Sequence, residues 1–174
     1  MAKKISKAIS TIVIIIMLIL AVLLIGVRIF GYTPYSVLSP SMTPKYPVGA
    51  LVYIHEIEPK DIVVGDDITF VFDESLLVVT HQVVEIDENH EYFTTKGLAN
   101  DSNDGNPVYY PNILGKVYFS IPYLGYVSDV VTSPIGLIIS VGLILIWIII
   151  IYMVNQAKKN KEISQKANEE IIQE

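Results

Sequence analysis

The chain has 174 residues, 52% of them hydrophobic, with no cysteine and a formal charge of −6. Thiol nucleophiles, disulfide frameworks and cysteine-based zinc sites are thereby excluded. Residues 31–133 set four lysines against fourteen of the eighteen acids, a net of −10, which argues against nucleic acid as a partner.

Ala8 to Phe30 is almost unbroken apolar sequence behind Lys3, Lys4 and Lys7. About 20 helical residues cross a ~30 Å hydrocarbon core, so the pattern predicts a transmembrane helix over 8–30 after a short N-terminus, 1–7. A cleavable secretory signal is the rival. The apolar run continues through Val27, Arg28, Ile29 and Phe30 with no Ala-x-Ala pattern behind it, which favours an uncleaved anchor. Arg28 can snorkel its guanidinium to the headgroups.

Between 31 and 133 the hydrophobic period is mostly two. Strands are expected over Gly49–Ile54, Asp67–Phe72, Leu76–Ile86, Tyr92–Thr95 and Ile113–Phe119, rich in β-branched and aromatic residues and punctuated by Gly, Pro, Asp and Asn. No long amphipathic helix fits between 35 and 125. The expected fold is an antiparallel, sandwich-like or partly closed β-domain over 31–133.

A second apolar block, Pro134 to Val154, reads as another transmembrane helix, followed by Lys158, Lys159, Lys161 and Lys166. Lysines thus flank the outer ends of both blocks. The positive-inside rule then puts both termini in the cytoplasm and 31–133 outside, in a multi-pass protein of the cell membrane. The charged tail 155–174 reads as a solvated helix.

Chemistry is most readily placed at Ser39-Pro40-Ser41-Met42-Thr43-Pro44, where two prolines stiffen the backbone around Ser41. A serine held in a rigid turn can be aimed at a carbonyl with little entropy loss, although Ser-Pro connectors are also ordinary linkers. A base is needed. His81 interrupts the apolar run 76–84 and, half-buried there, needs a partner on its ring; a core histidine bonded to a carbonyl is the plain alternative. His55 beside Glu56, and His90 inside Asp87-Glu88-Asn89-His90-Glu91, read as solvated surface residues.

The polar stretch Thr95 to Pro107 offers Asp101 and Asp104 as orienting carboxylates, or is simply a turn. A calcium loop fails on spacing, because Gly105 falls one place early and Asn112 stands where a bidentate Glu belongs. Asn100-Asp101-Ser102 is a formal glycosylation sequon, not expected to be occupied so close to a candidate site.

In order, these segments resemble type I signal peptidase, in the endoplasmic-reticulum-type branch found in eukaryotes, archaea and some Gram-positive bacteria. The resemblance covers about residues 36–126. Its serine box is Ser39-Pro40-Ser41-Met42-Thr43-Pro44, its Gly-Asp strand box Val64 to Phe70, its histidine box Val79 to Val84, and its acidic box Thr95 to Asp104. The resemblance implies a membrane-bound serine endopeptidase that removes signal peptides from exported preproteins. It assigns Ser41 as nucleophile, His81 as base and Asp104 as the acid that orients it, with Asp101 a secondary acid. It makes the Ser41 amide and the Ser39 hydroxyl the oxyanion hole. No metal or cofactor is implied. The implied partners are signal-peptide-bearing preproteins, the lipid bilayer and the secretion translocon.

Two positions depart from the family pattern. Leu98 replaces the first acidic-box Asp, and Gln82 stands where Arg is common after the histidine. Two rival readings follow: a serine–lysine peptidase using Lys96 or Lys45, and a catalytically silent membrane-anchored β-domain acting as an accessory or binding subunit.

Overall fold

The computed structural model describes residues 2–72, 77–87, 89 and 91–173. It contains two helices long and apolar enough to cross a membrane, over Ala8–Phe30 and Pro134–Ala157. Between them in sequence lies a mainly-β half-barrel built from one sheet, not the two of a sandwich.

The first helix, α1 (Ala2–Leu24), passes into a 3₁₀ segment over Gly26–Phe30. Gly31 ends that segment with φ 80°, in the left-handed region that glycine enters without a Cβ penalty. Its amide donates to the Arg28 carbonyl, and a Cβ at Gly31 would come within 3.2 Å of His55 Nε2.

Seven strands follow: β1 (Tyr32–Ser36), β2 (Leu51–His55), β3 (Asp67–Val71), β4 (Val78–Ile86), β5 (Tyr92–Lys96), β6 (Val108–Tyr109) and β7 (Ile113–Ile121). Their order is β1-β2-β7-β3-β4-β5-β6, every pair antiparallel. β3 to β6 form a meander, and β7 returns to wedge between β2 and β3. Each expected strand has an observed counterpart, except that the predicted start at Leu76 lies outside the described residues. β1 and β6 are additional. β1 contains Pro34, which carries no N–H, and its place at the sheet's edge is where that loss is tolerated.

β2 is buried on both faces. Val52 and Ile54 pack with Met42, Tyr46 and Val117, while Leu51 and Tyr53 pack with Leu124 and with Leu20, Leu23, Leu24 and Val27 of the first helical segment. The period of two thus divides one strand between two clusters. Tyr53 is fully buried and its hydroxyl donates to the Leu23 carbonyl at 3.0 Å, so the sheet is bonded directly to the end of α1. A third cluster, Ile62, Ile68, Phe70, Val83, Phe93 and Val108, fills the side of the sheet under β3, β4 and β5.

The short helix α2 (Leu124–Thr132) follows β7 and begins on this same unit, where Gly125 donates to Gly49 O and Ser36 Oγ donates to Asp129 Oδ1 at 2.6 Å. The unit from Val130 onward holds the 40-residue helix α3 (Pro134–Gln173). Its start follows from sequence: Pro134 occupies the first turn, and Ser133 Oγ accepts the Gly136 amide at 3.0 Å as an N-cap.

Candidate active site

Ser41 lies in a single 3₁₀ turn, Pro40–Met42, that the sequence itself specifies. Pro40 presets φ at the first position, and the Thr43 amide closes the turn on the Pro40 carbonyl at 2.9 Å. Met42 is 2% exposed, and burial of its side chain in the β2–β7 cluster pins the turn from below. Ser41 is left half-buried and Ser39 exposed, with their hydroxyl oxygens 3.0 Å apart. The turn packs against β4.

His81 sits in β4, directly across from Ile68 of β3, with Phe70 edge-on to its ring at 6.3 Å. Its side chain is 9% exposed, as is that of Asp104. His81 Nδ1 lies 2.6 Å from Asp104 Oδ2, and the same oxygen accepts the Thr95 hydroxyl at 2.6 Å. Short bonds of this kind are those expected between a carboxylate and its donors. His81 Nε2 makes no hydrogen bond among the described residues, so one nitrogen faces the acid and the other is available.

The loop carrying the acid also holds the serine. The Asp104 amide donates to the Thr95 carbonyl at 2.8 Å, closing the loop at its base. At its other end the Ala99 amide donates to the Ser41 carbonyl at 2.8 Å, and the Asn100 amide to Gly97 at 3.0 Å. A Cβ at Gly97 would lie 2.8 Å from that Ser41 carbonyl oxygen, so only glycine permits the approach. Ser41, His81 and Asp104, from three distant stretches of sequence, are thereby gathered around one loop and one strand.

The other candidates fall elsewhere. Asp101 is exposed, and its carbonyl accepts from Lys96 Nζ at 3.3 Å. Lys45 is ion-paired with Asp67. Among the described residues no hydrogen bond joins either lysine to Ser41, so the geometry gives a serine–lysine arrangement no support. His55, expected at the solvated surface, is half-buried, with Tyr32 edge-on at 5.3 Å, Tyr118 at 5.9 Å and Nδ1 bonded to Glu56 O. Glycine at 31 lets the chain pass close over that ring, which draws His55 inward. His90 lies outside the described residues. Leu98 is partly exposed on the turn that holds the Ser41 carbonyl, and Gln82 Nε2 donates to Gly65 O at 3.1 Å.

Sequence reasoning passed over two groups. Thr95, fully buried, was legible only as part of an alternating strand. Tyr46 donates to Asp67 Oδ2 at 2.7 Å beneath the serine turn, and burial, then the Asp67 bond, pushes its phenol well above the ordinary tyrosine range. A hydroxyl or phenol inside an apolar pattern is the one signal that could have flagged either.

No family model matches the chain. Over 121 residues it is 36% identical to signal peptidase I W of Bacillus subtilis (strain 168), a match covering 64% of this chain and 63% of that protein. The chain thus spans just under two thirds of the length of that signal peptidase, and it is similar to it over a stretch that takes in much of the sheet.

Proposed function

We propose that this chain is a membrane-bound serine endopeptidase that removes signal peptides from exported preproteins, with Ser41 as nucleophile, His81 as base and Asp104 as the group orienting the base. The observation that carries it is the bond from His81 Nδ1 to Asp104 Oδ2, made on the loop that also holds the Ser41 carbonyl. An imidazole held this way has a fixed tautomer, with Nε2 free to receive a proton.

The chemistry then proceeds in two halves. Ser41 Oγ attacks the scissile carbonyl carbon while its proton passes to His81 Nε2. The tetrahedral oxyanion is met by the Ser41 amide and the Ser39 hydroxyl, where one donor contributes about 3 kcal/mol. The imidazolium returns its proton to the leaving amine as the C–N bond breaks, leaving an acyl-enzyme. Water, deprotonated by the same imidazole, then releases the signal peptide's carboxylate. Asp104 stabilises the transient positive ring, and no metal or cofactor enters.

The two apolar helices would span the cell membrane, with both termini cytoplasmic and the sheet outside. Ser41 lies about 11 residues past Phe30, at most ~40 Å even if extended. The Tyr53–Leu23 bond shortens that reach by holding the sheet on the end of α1. A preprotein whose signal helix shares the bilayer could therefore present its cleavage site to the serine, with lipid and the translocon as further partners. β1 pairs on one side only, so a substrate running beside residues 36–39 and toward the start of β4 could add main-chain hydrogen bonds.

Leu98, in the place of the family's first acid, favours a second reading, a silent accessory domain. One assay separates the two. Processing of a labelled preprotein in membranes containing the chain should vanish with Ser41→Ala and with His81→Ala, both proteins remaining folded. Cleavage at the normal rate in Ser41→Ala would overturn the peptidase assignment.

A further inference from the structure

Asp104 is held at more than one point. Both short bonds fall on the same oxygen, Oδ2: His81 Nδ1 at 2.6 Å and Thr95 Oγ1 at 2.6 Å. Thr95 also accepts the Asp104 amide on its own carbonyl at 2.8 Å, so one residue grips the acid through main chain and side chain together.

Its place in the sheet explains how it reaches. Thr95 of β5 pairs directly with Val83 of β4, two residues along from His81. Residues two apart on a strand share a face, so Thr95 and His81 are diagonal neighbours on one side of the sheet. Both approach Asp104 from that side. By strand register, the buried Ile68, Val83 and Phe93 share that side of the sheet, so valine in place of threonine would remove the hydroxyl while keeping a similar shape. Thr69 and Thr80, by contrast, satisfy one another at 2.8 Å. Thr95 has no such hydroxyl partner and spends its proton on the carboxylate. Its β-branched side chain has few accessible rotamers, which suits it to hold a second residue still.

We infer that Thr95 is a positioning residue for the reaction: it locks the carboxylate of Asp104 in the orientation that keeps His81 Nε2 aimed at Ser41. This rests on the reading of Ser41, His81 and Asp104 as the reacting set. A charge-assisted hydrogen bond of this kind corresponds to roughly a 10- to 100-fold change in rate.

The test uses the full-length chain in lipid vesicles with a labelled preprotein. Thr95→Val should lower kcat about 10- to 100-fold and leave KM within about twofold, because substrate contacts are untouched. Thr95→Ser, which restores the donor, should recover most of the turnover. In an Asp104→Asn background, Thr95→Val should change the residual rate less than about twofold, since its effect runs through that carboxylate. Should Thr95→Val fail to fold, Thr95→Ala against Thr95→Ser carries the same comparison. Wild-type turnover in Thr95→Val, or an undiminished further loss in the Asp104→Asn background, would overturn the role of Thr95. Cleavage persisting in Ser41→Ala overturns the peptidase assignment itself, whereas loss there with normal turnover in Thr95→Val overturns this inference alone.

Discussion

Two carboxylates with little exposed side chain, Asp67 and Asp104, sit within the same sheet unit and keep different partners. Asp67 is held by a permanent cation, Lys45, and by the Tyr46 phenol, and its buried Oδ1 has no partner among the described residues. Asp104 is held by an imidazole and a hydroxyl, neither with a fixed charge. A carboxylate neutralised by lysine has nothing to gain from a proton moving nearby, and its work is structural. A carboxylate against a neutral imidazole gains whenever that ring takes up a proton. On the proposed reading, the difference between an anchor and a participant lies in the partner, since the two side chains are only 3% and 9% exposed.

Experiments can break or sharpen this contrast. The largest effect is expected at Asp104: Asp104→Asn should slow preprotein processing by about 10³- to 10⁴-fold while the thermal unfolding midpoint stays close to wild type. A rate near wild type would make Asp104 a second anchor. The mirror result is expected at Asp67. Asp67→Ala leaves the Tyr46 phenol without its acceptor and should cost about 2–3 kcal/mol in denaturant unfolding, with turnover per folded molecule largely kept. Lys45 is nearly half exposed and can rehydrate, which keeps the loss below that of a fully buried broken pair.

Tyr46→Phe is a milder version, expected to cost about 1 kcal/mol at neutral pH. It also has a pH signature. Burial first, and then the bond to Asp67, raise the Tyr46 pKa, so the folded chain holds that proton more tightly than the unfolded chain. The associated stability is complete below pH ~10, the ordinary tyrosine value, and fades as pH climbs above it. Alkaline unfolding should be steeper in wild type than in Tyr46→Phe; equal slopes would mean that the phenol is not the linked group. The smallest effect is expected at Asp101, whose carboxylate is solvated: Asp101→Asn should change processing less than about twofold. A large loss there, with none at Asp104, would transfer the orienting role.

Much of this is legible in the sequence. The two apolar blocks, the strand alternation and the four boxes in order all depend on local periodicity or on short stretches of contiguous residues, which a linear reading captures. β1 was passed over because Tyr32-Thr33-Pro34-Tyr35-Ser36 contains a proline, and only edge placement makes that acceptable. The two acids of the 97–107 loop looked alike because they are three residues apart in one polar segment. The inward turn of His55 was equally hidden, since it depends on a close approach by Gly31 from 24 residues away.

By itself, then, the sequence determined which segments are apolar enough for a membrane, which alternate as strands, and which serine, histidine and acids are candidates. The resemblance already preferred Asp104 to Asp101 as the orienting acid; tertiary structure alone decided the 2.6 Å approach of Asp104 to His81, that Thr95 shares its oxygen, and that Lys45 belongs to Asp67. The reason is physical: periodicity is a property of neighbouring residues, whereas a hydrogen bond joining residues 81, 95 and 104 exists only after strand register and loop closure have brought them together.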